Sequence, residues 1–178
     1  YEKQTCRNRT AIMTAGGKQT LTVPVSKKYP HTPLKDVRIS YQENWPQVHW
    51  RTIKTAYNSA PFFEFYAFAI EPVLLKKHIF LMDFNTELFK VINEMAGLNT
   101  KVSLSKKYPE KTEVERDYRH YWHSTKDQPL IPAYPQVFDE KHGFLHNLSI
   151  LDLLFNKGPE TPVYLEQLSA KLRSYYSG

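Results

Sequence analysis

Two β-prone runs flank Gly16-Gly17 in "RTAIMTAGGKQTLTVPV", Arg9 to Val25. Glycine accepts the positive φ of a tight turn, so the stretch predicts a hairpin. Pro24 lacks an amide donor and suits the end of a strand. "DVRIS", Asp36 to Ser40, predicts a third strand, and "KVSLS" and "PQVFD" predict further short ones. The apolar period then changes from two to about 3.6. Trp50, Ile53 and Tyr57 share a face behind Asn44, a cap, and Pro46, a first-turn residue. Pro61 opens a second helix, with Phe62, Phe65, Tyr66, Ala69 and Ile70 as its stripe, and Pro72 is expected to break it. Asn85 caps a third helix, "TELFKVINEMA", closed by Gly97. Tyr108 to Pro135 holds four prolines and predicts a long loop with a short helical piece near Glu113 to Tyr121. Helices over Ile150 to Lys157 and from Thr161-Pro162 complete the chain.

These elements describe one α+β domain over residues 1–178, a small and largely antiparallel sheet with helices packed against it. At 178 residues the chain is long enough for one sizeable core, and 14% aromatic content supports it. The formal charge of +6 points to an anionic partner without identifying it. Cys6 is the single cysteine, which excludes an intrachain disulfide and a cysteine-rich zinc site and fits a reducing, cytoplasmic setting. No apolar run is long enough to span a bilayer.

Several residues could carry chemistry. Ser149 precedes an apolar run and Asp152 follows three positions later, an acidic version of the capping box. Asp152 can therefore start a helix, or serve as a catalytic carboxylate at a helix N-terminus that attracts anions. In "YEKQTCRNRT", alternation on a strand would put Lys3, Thr5, Arg7 and Arg9 on one face, a cradle for phosphate or carboxylate or else a charged edge strand. His49, next to Trp50, fits a general base or a buried histidine. Trp50 and Tyr57 fit a core or a wall that stacks on a sugar or base. His120/His123 and His142/His146 lack the accompanying carboxylates of a metal motif, so no metal is expected. There is no phosphate-binding or dinucleotide-binding glycine loop and no nucleophile elbow. No cofactor is indicated.

The stretches "YEKQTCRNRTAI", "GGKQTLTVPV", "DVRIS", "HWRTIKTAYNSAPFFEFY", "YPQVF" and "GFLHNLSILDLLFNKGP" together resemble the WbqC-like family of bacteria, over nearly the whole chain. The resemblance implies an extra N-terminal segment before Tyr1, rich in tyrosine, phenylalanine and proline. It also implies a setting in O-antigen and other surface-polysaccharide gene clusters, with acyl or aminoacyl transfer to an amino sugar as a role.

The expectation is then an enzyme or accessory protein acting on a nucleotide-linked or phosphorylated sugar. Lys3, Arg7 and Arg9 hold the anion, Trp50 and Tyr57 stack, and His49 and Asp152 move protons. The alternative is a non-enzymatic nucleic-acid-binding or protein-interaction module, which the basic charge and interleaved aromatics permit. The lack of a nucleic-acid motif argues against its nucleic-acid form.

Overall fold

The computed structural model describes residues 6–26, 32–104 and 131–176. Strand β1 (Arg9–Thr14) pairs antiparallel with β2 (Gly17–Thr22), in a register running from Arg9 opposite Thr22 to Thr14 opposite Gly17. Gly17, at φ 98°, supplies the positive φ that the turn requires. Ile12 and Leu21 turn inward to the main core. Alternate residues of β1 direct their backbone groups to the other edge. There the Ala11 carbonyl accepts from the Ser149 amide at 2.7 Å, and the Met13 amide donates to the Tyr57 hydroxyl at 3.1 Å.

"DVRIS" does not form a third strand. A 3-10 turn at Leu34–Asp36 leads into single bridges, Val25 with Ile39 and Arg38 with Phe80. Its amides and carbonyls are shared between two short neighbours: Ser40 donates to Pro24, and Ile39 to Ile79. Pro24 cannot return a hydrogen bond, so no ladder extends from it. Val37 and Ile39 still point into the core. Residues 101–104 are exposed and irregular because "KVSLS" pairs with no strand among the described residues, and its Ser105 lies outside them. The expected helical piece at Glu113 to Tyr121 lies outside them as well. "PQVFD" is not a strand either. The Gln136 side chain takes a strand's place, accepting from the Leu145 amide at 2.8 Å and donating to the Leu145 carbonyl at 3.1 Å.

The helices follow the apolar stripes. Helix α1 (Trp45–Tyr57) starts with Pro46 in its first turn and buries Trp50, Ile53 and Tyr57; Asn44 makes no side-chain cap. Helix α2 (Phe63–Leu75) buries Phe63, Ile70, Val73 and Leu74, so its inner stripe is offset from the predicted one, and Phe65 and Phe68 face outward. It also runs through Pro72. The intrahelical bond that this proline forgoes is the one to Phe68, only one turn before the helix ends. Helix α3 (Leu81–Met95) begins four residues before Asn85, because Leu81 and Phe84 belong to its buried face. Asn85 instead donates to the Arg7 carbonyl at 2.8 Å. Gly97, at φ 63°, closes α3. The short α4 (Asp139–His142), then α5 (Ile150–Lys157) and α6 (Thr161–Tyr176), complete an α+β fold. No described helix is long and apolar enough to cross a membrane.

Candidate functional site

Helix α5 is almost wholly internal. Leu151, Leu153, Leu154 and Phe155 are buried, and Asp152 among them is 0% exposed. Ser149 caps the helix as its position predicts, its Oγ accepting from the Leu151 amide at 3.3 Å. Asp152 does not complete a capping box. Its carboxylate turns inward to three side-chain donors: Tyr57 Oη reaches Oδ1 at 2.8 Å, and Tyr134 Oη and Gln136 Nε2 reach Oδ2 at 2.7 and 2.9 Å. A carboxylate with no exposed surface needs such donors close by, and those three satisfy it better than a frayed helix end would.

The network ties four parts of the chain together. Tyr57 ends α1, and its hydroxyl accepts from Met13 of β1 while donating to α5. Tyr134 and Gln136 bring in the segment before α4, and Gln136 continues to Leu145. Burial raises the Asp152 pKa above its ordinary 3.8, and the three donors oppose that rise without cancelling it. Burial, then the neighbouring Asp152 charge, push both tyrosine hydroxyls well above their usual value of 10.0. The phenols therefore remain proton donors to the carboxyl group throughout the physiological range.

Tyr134 is where this network comes nearest the surface. It lines an open hollow of about 540 Å³ with Ala133, Pro135, Asp139, Glu140 and Phe144. Its ring meets Phe144 edge-on at 5.1 Å and Tyr164 at 5.3 Å. The Asp139 carboxylate accepts from the Gln136 amide at 3.1 Å.

The structure brings Tyr57 and Asp152 into direct contact and places the other expected site residues elsewhere. Lys3 and Thr5 lie outside the described residues. Arg9 is in β1, but Arg7 sits in the turn before it, so strand alternation does not place these two side chains on one face. Asn8 explains the break. It is buried, its carboxamide donates to the Val23 carbonyl at 3.0 Å, and its own carbonyl accepts from the Val23 amide at 2.9 Å. Two buried polar atoms at this corner, Asn8 Oδ1 and Arg9 Nε, have no hydrogen-bond partner among the described residues. Arg9 and Met13 stand four residues apart on one strand, about 13 Å.

His49 is buried in α1 with its ring 5.1 Å from that of Trp45, and burial lowers its pKa from 6.5. It lies two turns from Tyr57, about 12 Å along the helix. The Trp50 ring stacks on Phe63 at 6.1 Å, and the Tyr57 ring packs on Phe155 at 5.1 Å, so core neighbours cover both aromatic faces. His142 Nε2 lies 3.0 Å from the Ala15 carbonyl, while the His146 ring meets Phe144 edge-on. Among the described residues, no three His, Cys, Asp or Glu side chains converge as a metal-binding group.

Sequence reasoning missed Tyr134 and Gln136. Their signal was present in "YPQVF": two hydrogen-bonding side chains two positions apart turn the same way on an extended chain.

The chain matches the WbqC-like protein family over residues 1–126 and 115–164. It is similar to "Uncharacterized protein Rv1507c" of Mycobacterium tuberculosis (strain ATCC 25618 / H37Rv), 31% identical over 193 residues that cover 93% of this chain and 83% of the relative. No solved structure matches it.

Proposed function

Because the chain belongs to the WbqC-like family, we propose that it serves bacterial cell-surface polysaccharide biosynthesis by binding a nucleotide-linked or phosphorylated sugar at the Arg7–Asn8–Arg9 corner. The observation that carries this reading is the pair of buried atoms there, Arg9 Nε and Asn8 Oδ1, that have no partner among the described residues. A buried donor without a partner carries a desolvation cost that a ligand can offset. A guanidinium matches phosphate, and a carboxamide oxygen matches a sugar hydroxyl, so a phosphorylated sugar supplies both complements.

The Asp152 network holds the same strand further along. It holds the outer edge of β1 through Tyr57 and Met13, in the strand that carries Arg9. In this reading Asp152 and Tyr57 are positioning residues. Since His49 and Asp152 are both buried, the described surface accounts for binding, and no bond-making step is assigned to it. Acyl or aminoacyl transfer to an amino sugar is the reaction class this setting suggests.

A thermal-shift screen of the full chain with nucleotides, sugar phosphates, sugar nucleotides and oligonucleotides tests the reading. Saturable stabilisation by a phosphorylated sugar is expected. Stabilisation by any oligonucleotide, weakened steeply by salt, would favour the nucleic-acid module instead.

A further inference from the structure

Helix α2 is apolar on both of its long faces. Phe63, Ile70, Val73 and Leu74 meet the core, while Phe65 and Phe68 are 69% and 73% exposed on the outer side. Pro61 and Pro72 extend this outer stripe and are exposed as well. Within α2, Phe65, Phe68 and Pro72 are spaced by three and four residues, the spacing of a helix-packing seam, and Pro61 stands in the turn just before the helix. Phe62 flanks the stripe, its ring 6.4 Å from that of Phe65. A surface helix normally turns a polar face to water, and neighbouring exposed aromatic side chains on one face mark a surface that is covered.

The charges around the stripe narrow down what covers it. Glu64 and Glu71, seven residues apart, share one flank at roughly 70–90° from the centre of the stripe, given 100° per residue. Glu64 is exposed and Glu71 half-buried, and neither forms an ion pair among the described residues. Ala69 and Phe62 hold the other flank. An antiparallel two-fold pairing of α2 with its own copy would set Glu64 beside the copy's Glu71, and like charges across an interface oppose association. An anionic lipid surface would be repelled by the same two carboxylates. A helix with a matching apolar seam and lysine or arginine on its flank meets both features.

We propose that the outer face of α2 docks one amphipathic, basic-flanked helix of another protein. The seam from Phe65 to Pro72 is about 10 Å long, two turns of such a helix. This inference is independent of the sugar-binding reading, because α2 carries none of the residues assigned to the anion.

The test uses the full chain and a labelled, stapled helical peptide with leucines at the same spacing and lysines on its flanks, titrated by fluorescence anisotropy. Saturable binding is expected, and Phe68→Ser should weaken it about tenfold or more, as for an interface anchor. Phe65→Ser should do the same, and both variants should melt like the parent because these side chains are exposed. The double variant Glu64→Lys, Glu71→Lys should reverse the preference toward a glutamate-flanked peptide. The proposal is overturned if the parent does not bind, or binds both peptides equally. It is also overturned if light scattering shows a dimer that Phe68→Ser dissociates, or if the chain sediments with anionic vesicles through the same two phenylalanines.

Discussion

The Tyr57 hydroxyl stands 2.8 Å from Asp152 Oδ1, although the two residues are 95 positions apart in the chain. The same hydroxyl accepts the Met13 amide at 3.1 Å. One oxygen thus links the end of α1, the first turn of α5 and the open edge of β1. Its removal strands a buried amide and takes one donor from a buried carboxylate.

Tyr57→Phe should therefore be costly, at about 1–3 kcal/mol for each group left without a partner. Tyr134→Phe should cost less, because Gln136 still donates to the same carboxylate oxygen and the ring keeps its contacts with Phe144 and Tyr164. Urea unfolding of the two variants measures the difference. Equal and negligible costs would mean that the network does not hold the fold.

Asp152 gives the protein a pH dependence of definite sign. Its folded-state pKa is raised above 3.8 by burial, so its contribution to stability is fully present below that value and is lost as pH rises through the raised one. Asp152→Asn cannot titrate. Its NH2 also replaces one carboxylate oxygen and so faces the Tyr57 donor, or those of Tyr134 and Gln136, which should cost about 1–3 kcal/mol. The gap in melting temperature between parent and variant should narrow as pH rises from the acid side, and thermal melts across that range check it. A gap that widens with pH would mean that the hydrogen bonds outweigh burial.

The difference between a cap and a network also separates what the sequence disclosed from what it hid. The hairpin, α1, α5 and the Ser149 cap rest on local signals: a Gly-Gly turn, a first-turn proline, a hydroxyl before an apolar run. Asp152 stood where a capping residue stands, and its spacing to Ser149 looked sufficient. What redirected it was Tyr57, Tyr134 and Gln136, distant in sequence, and long-range pairing leaves no periodic trace. Tertiary packing likewise overrode the local signals at Asn85 and Pro72, where buried Leu81 and the neighbouring Val73 and Leu74 carried helices past a cap and a proline. Arg7 and Arg9 looked alike by alternation, and only the buried Asn8 carboxamide between them reveals the turn.

Gly158 offers a test of the joint between α5 and α6. It sits at φ 52°, and a Cβ there would come within 2.4 Å of the Phe62 ring. Gly158→Ala should cost about 1–3 kcal/mol in backbone strain alone, with the clash added to it. Pairing it with Phe62→Ala should cost less than the sum of the two single changes, because the second removes the ring that the methyl strikes. Additive costs in a double-mutant cycle would show that Phe62 is not the obstacle.

The central claim, an anion held at the Arg7–Asn8–Arg9 corner, is tested most directly by isothermal titration calorimetry of a sugar nucleotide into the parent and into Arg9→Lys. Lysine keeps the charge but lacks Nε and the paired donors of the guanidinium. Loss of a charged hydrogen bond of about 1.5–3 kcal/mol corresponds to a tenfold or greater weakening. The expected result is measurable binding by the parent, weakened at least that much in Arg9→Lys, with an unchanged melting temperature for the free variant. Binding of equal strength by both proteins would contradict the account.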